Sequence, residues 1–249
     1  MARKKKNDAG GIIILIAVFI VLVVIAIATP VVIIIGYLYN KIKESEIREN
    51  LTGTMADFWL TDGEKRDFKE KVSKLSQVKQ VIQQANNKGE QAGINKNQDG
   101  TFSARSKVGK ELKATISKYE PIKFNLIEYL QELQSLPISR WEVFNNYVRN
   151  SKSFLLSFCS WCAVLAYYSV TLGKQTIFEA IMPYYALATN FFRDEGSRLP
   201  IVDGDLKMVA VATITAIASY FLFRIIFSNA AEKYSPKPEV VTLENIDAY

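Results

Sequence analysis

Apolar residues gather into three runs, at 11–39, 154–172 and 208–227. Each is long or apolar enough to cross a bilayer, whose hydrocarbon core takes about 20 residues of helix. Between the first two lies a polar, Lys-rich stretch with helical periodicity. The pattern predicts an all-α integral membrane protein with three transmembrane helices, or four if 176–192 also crosses. Its segments are a basic tail (1–10), a first transmembrane helix (11–39) and a soluble helical domain (40–150). A second transmembrane helix (151–172), a loop with an interfacial or re-entrant helix (173–207), a third transmembrane helix (208–228) and a polar tail (229–249) follow.

The first run is too long for the core of a cleavable signal, about 7–15 residues, and reads as a retained anchor. As a helix it measures roughly 40 Å, more than the bilayer core, so it tilts or bends, with Pro30 as the bend.

Within the domain, Thr61 and Glu64 have capping-box spacing. Phe68, Val72, Leu75, Val78 and Ile82 follow at three- and four-residue intervals, which predicts an amphipathic helix ending near Gly89. Asn97-Gln98-Asp99-Gly100 is a turn. Further helices are expected over 107–119 and 122–135, stopped by Pro121 and Pro137, the second with the face Phe124, Ile127, Leu130 and Leu133. A lead-in at 139–150 carries Trp141, Phe144 and Tyr147, rings suited to the headgroup level. SPKPE, at 235–239, argues against a folded tail.

The chain has 249 residues and a formal charge of +6. In the domain acidic residues interleave with the lysines, which describes a solvated surface more than a phosphate groove, so a nucleic-acid partner is not expected. Histidine is absent. That removes the usual general base and metal ligand, and with them Ser-His, Cys-His and zinc-hydrolase chemistry. No catalytic residue, metal site or cofactor is expected. Cys159 and Cys162 form a C-x-x-C inside an apolar helix, where two small adaptable side chains is the better reading.

Three sets of candidates remain. Arg105, Lys107 and Lys110 are a basic patch at a helix start, where backbone amides can hold an anion. They do not fit the phosphate-loop pattern, because Glu111 follows Lys110. Glu179 is an acidic residue in an apolar stretch, and with Thr213 and Thr215 it could line an ion pathway. Ser157, Ser160 and Ala163, with Ala212 and Ala216 on the last span, form small-residue stripes for helix packing.

The reading is a non-enzymatic subunit of a larger membrane complex, homo- or hetero-oligomeric, contacting lipid and partner subunits. The alternative is an oligomeric ion-conducting subunit. In span order and length the layout is similar to the proton-channel stator subunits of bacterial energy-transducing motors, although the last span lacks a Gly-Thr-Val-x-Gly-like segment. Lys and Arg flanking the spans divide eight to nine between the two sides. The soluble domain is expected on the cytoplasmic side of the cell membrane, the span flanks outweighing the Arg3–Lys6 cluster.

Overall fold

The computed structural model describes residues 5–97, 101–174 and 176–249. It is 78% helix. The helices are α1 (Lys5–Arg48), α2 (Asp62–Gln91), α3 (Lys107–Thr171), α4 (Ile177–Thr189) and α5 (Asp203–Ile226). Among the described residues there is no strand, only an isolated bridge between Lys96 and Phe102. The turn expected at 97–100 lies mostly outside the described residues, as do Arg3 and Lys4 of the basic tail. From Lys5 the chain is already helical.

The chain forms two compact units. One comprises Met1–Asn50 and Phe144–Lys233, the other Leu51–Val143 and Tyr234–Tyr249. α3 supplies residues to both. It is one helix of 65 residues with Pro121 and Pro137 inside it, not the separate helices expected. A proline removes one helical hydrogen bond. Here the buried positions Leu130, Leu133, Pro137, Trp141, Phe144 and Val148 keep three- and four-residue spacing through Pro137, and their burial outweighs that loss.

In the first unit, helices α1, α3, α4 and α5 share a core. It includes Val23, Ala26, Ile33, Trp161, Leu165, Tyr184, Met208 and Ala212. On α5 the buried positions are Asp205, Met208, Val209, Ala212, Thr213 and Ala216, one stripe of an amphipathic helix. Pro30 lies inside α1. α4, with 13 residues, is about 20 Å long. The excursion between α3 and α5 returns to where it began: Lys174 Nζ is 2.6 Å from Asp205 Oδ1, both largely buried. Asn190 clamps the turn, exchanging hydrogen bonds of 2.9 Å with the carbonyl and amide of Leu199.

In the second unit the capping box of α2 forms as the spacing predicts. Thr61 Oγ1 accepts from the Glu64 amide, and Glu64 Oε2 accepts from the Thr61 amide at 2.8 Å. Trp59, Leu60, Phe68, Leu130 and Leu133 build a core with Val241 and Ile246. The C-terminal segment is therefore not a free polar tail. Val241 and Ile246 are fully buried, the Val241 amide donates to the Gln134 carbonyl, and the indoles of Trp59 and Trp141 donate to the carbonyls of Ile246 and Ser235. Trp141 and Phe144 are almost entirely buried in protein, although the sequence expects rings facing a headgroup layer. Only Tyr147 of that trio stays half-buried, its ring 6.3 Å from that of Tyr39.

A second cluster joins the end of α2 to the start of α3. Phe102, fully buried, packs with Ala85, Leu112 and Ile116. Its ring lies over Gly89, where an added Cβ would come within 2.2 Å of the ring. Phe102 is fully buried, so a shift of its ring disturbs the cluster around it. Gly89→Ala should destabilise the protein by about 1–3 kcal/mol, the usual cost of overpacking, against a helix-propensity gain near 1 kcal/mol at most. Thermal unfolding of the purified chain would measure it.

Candidate functional site

The buried stripe of α1 runs through Val23, Ala26 and Ile33 and then continues in phase to Asn40 and Glu44. The face that packs apolar residues in the middle of the unit thus packs polar ones at its end. Asn40 Nδ2 donates to the Gly36 carbonyl at 2.7 Å. Glu44 is 1% exposed. Its Oε1 is 2.8 Å from Lys41 Nζ, and its Oε2 accepts from the Ser151 hydroxyl of α3 at 2.6 Å. Asn150 Nδ2 reaches toward Asn40 Oδ1 at 3.5 Å. One turn earlier on α3, Asn145 holds the chain just past α5. It donates to the Ser228 carbonyl at 2.6 Å and accepts from the Ala231 amide at 3.0 Å.

A buried carboxylate is costly unless paired and hydrogen-bonded, and this collar supplies both. It also brings the end of α1, residues 145–151 of α3 and the end of α5 to one place. Lys174 and Asp205 mark the other end. Between the two ends the polar groups are few and mostly bonded within the unit: Thr29 to the Ile25 carbonyl at 2.7 Å, Ser157 to the Ala216 carbonyl at 2.6 Å, and the Trp161 indole to the Tyr184 hydroxyl at 3.0 Å. Thr213 Oγ1 is the exception. It is buried near Tyr184 without reaching hydrogen-bond geometry.

Of the candidate packing residues, Ser157, Ala212 and Ala216 are buried. Ser160 is half-buried and bonds its own helix at the Leu156 carbonyl. Ala163 is exposed. The buried face of α3 is instead Ser157, Trp161 and Leu165, because a four-residue step follows the helix surface better than the three-residue step that leads to Ala163.

Glu179 is exposed in the first turn of α4, capped by Thr176. It lines a cavity of about 330 Å³ with Lys174 and Asp205. Thr213 sits eight residues beyond Asp205, about 12 Å along α5, and Thr215 is half-buried. The structure does not gather these three into one path. Arg105, Lys107 and Lys110 are all exposed. One donor of the α3 start is already used, since the Gly109 amide donates to the Ser106 hydroxyl at 2.9 Å. Among the described residues no three His, Cys, Asp or Glu side chains group to hold a metal ion. Cys159 and Cys162 are free and exposed.

Asn40 and Glu44 were not among the residues singled out from the sequence. Their signal is phase: Asn40 lies seven residues after Ile33, Glu44 four after Asn40, both in register with the apolar stripe. The chain matches no family model, no curated protein and no solved structure.

Two carboxyls in the second unit carry a pH dependence. Burial pushes Glu64 up, but the Arg140 guanidinium (2.5 Å) and the Thr61 amide and hydroxyl outweigh it and leave Glu64 below its ordinary value. Burial likewise pushes Asp57 up, and donors from Thr52 and Gly53 bring it below the usual carboxylate range. Both groups bind fewer protons folded than unfolded. Their stabilisation is full above the ordinary glutamate value of 4.5 and is lost as pH falls through the lowered folded values. Glu64→Gln should cost about 1 kcal/mol at neutral pH and flatten the acid limb of a stability–pH curve.

Proposed function

We propose that this is a non-enzymatic, three-pass membrane protein that serves as a subunit of a larger membrane complex, its helical domain docking a partner. The observation that carries the reading is the bare apolar surface of the long helices. Three helices are long and apolar enough to cross a membrane, and only 22%, 17% and 22% of their most apolar stretches are buried. Ile14, Val18, Phe19, Leu22, Ile35 and Leu38 of α1 are among the exposed residues. Apolar patches of that extent are rare on soluble monomers, and lipid is the solvent that suits them.

The polar collar and the Lys174–Asp205 pair fit the two ends of such a span. α1 ends, α3 enters and α5 ends at the collar, which supports an odd number of crossings. α4, about 20 Å long, is short of the roughly 30 Å core, and its flanking segments return to one end. It fits an interfacial or re-entrant helix better than a fourth span. Lys41, Lys43, Arg48, Arg149 and Lys152 flank the first two spans on the domain side and favour its cytoplasmic placement.

For the docking role the support is a patch left uncovered on the domain. Phe124 and Ile122 of α3 are exposed, at 61% and 41%, although the sequence periodicity counts Phe124 among the core face. An ion-conducting oligomer is the second reading, favoured by the buried Thr213 hydroxyl that lacks a hydrogen bond.

Alkaline carbonate extraction, native-size analysis in mild detergent and ion flux in proteoliposomes test these readings together. The expected result is retention in the membrane, migration as an assembly larger than one copy that Phe124→Asp disrupts, and no flux. Release by carbonate would overturn the membrane reading. Flux abolished by Thr213→Val would replace the subunit reading with the channel.

A further inference from the structure

We propose that the helical domain contains a peptide-binding groove whose resident ligand is the chain's own segment 234–249. The segment is seated as a bound peptide is, by two aliphatic anchors, a buried Ser235 and Pro238 at its start, a few main-chain hydrogen bonds and a charge contact. Val241 and Ile246 insert fully among Trp59, Leu60, Phe68, Leu130 and Leu133. The residues between and beside them, Val240, Leu243 and Glu244, are exposed. This anchor-and-spacer pattern is that of a ligand lying on a surface, not of an element buried on all sides.

Polar contacts fix its register. The Trp59 indole donates to the Ile246 carbonyl at 3.1 Å, and the Val241 amide donates to the Gln134 carbonyl at 3.2 Å. Lys69 Nζ lies 2.6 Å from Asp247 Oδ2, and Lys65 Nζ donates to the Tyr249 main-chain oxygen. Charge is complementary: the segment carries Glu239, Glu244 and Asp247 against one Lys237, and meets lysines of α2. Beside residues 242–244 the groove continues as a cavity of about 580 Å³ over Phe68, Val72 and Ile127, so the segment does not fill it.

The ligand class is an acidic peptide with two aliphatic anchors five residues apart, the second followed by a carboxylate. Tethered, the segment holds its groove at an effective concentration in the millimolar range for a short link, so a free peptide at micromolar concentration does not compete. If the tethered copy loses its anchors, the groove opens to a peptide supplied from outside.

The test uses the full chain in detergent and a fluorescein-labelled synthetic peptide of sequence 234–249, followed by fluorescence anisotropy. The wild-type chain should not bind at micromolar peptide. The Val241→Asp/Ile246→Asp chain, with its groove residues untouched, should bind saturably, and Lys69→Glu in that background should weaken binding by several fold. A labelled peptide carrying the same two aspartates should not bind. If the double variant loses its helical circular-dichroism signal, the milder Ile246→Ala chain takes its place. Absence of binding to the helical variant, or equal binding to wild type and variant, overturns the proposal. Neither outcome depends on membrane insertion or on a partner complex, so it fails separately from the functional reading above.

Discussion

Too little protein covers the long apolar helices, and the rest of the structure follows from that shortage. Each of α1, α3 and α5 buries only one stripe, at the three- and four-residue spacing that a helix presents to its neighbours. The short α4 adds Ala180, Tyr184 and Leu187 to the same core without wrapping the outer faces. In the membrane reading proposed above, lipid covers those faces. In such a solvent every main-chain polar group must be satisfied within the helix, and side-chain polar groups must pair or sit at the ends. Glu44 with Lys41 and Ser151, and Lys174 with Asp205, are arranged in that way.

The collar depends on the same logic at close range. Glu44 is held by a cation three residues back on its own helix and by a hydroxyl from α3. Removing either partner would leave a buried charge short of compensation, a far larger loss than that of an exposed ion pair. The second unit has a different problem. Its α2 and its share of α3 are two helices with a narrow apolar seam, a small core by any measure. The C-terminal segment supplies Val241 and Ile246, each contributing about 1.5–3 kcal/mol on full burial, and so finishes a core that the helices leave open.

The long-range periodicity was legible in the residues. The three apolar runs and the α2 face, with its Thr61–Glu64 box, all appear where spacing puts them, because those signals are local. What was not legible depended on partners distant in sequence. Val241 and Ile246 are two of four aliphatic residues after Pro236 and Pro238, with Val240 and Leu243, and nothing nearby says that Trp59 and Phe68 await this pair. Pro121 and Pro137 are helix breakers by local rule, and the continuity of buried positions from Leu130 to Val148 shows why α3 passes through Pro137. On α3 the choice of small residues misdirected the packing face to Ala163, whereas Trp161 fills that role because Tyr184 accepts its indole hydrogen. Glu44 was lost among the charges at the end of α1, although its phase with Ile33 and Asn40 marks it as inward-facing.

The topology proposed above puts the helical domain and the C-terminal segment on one side of the membrane and 190–202 on the other. It is tested most directly by single-cysteine labelling in sealed vesicles of known orientation. Ser73→Cys, Ala248→Cys and Ser197→Cys would each be placed in a Cys159→Ala/Cys162→Ala chain, all three positions being exposed, and treated with an impermeant maleimide. Reaction at positions 73 and 248 from one face and at 197 from the other is the predicted result. Position 248 reacting from the face opposite to 73 would mean an even number of crossings and would contradict it, with 197 on the side of 73 if 176–192 is a fourth span.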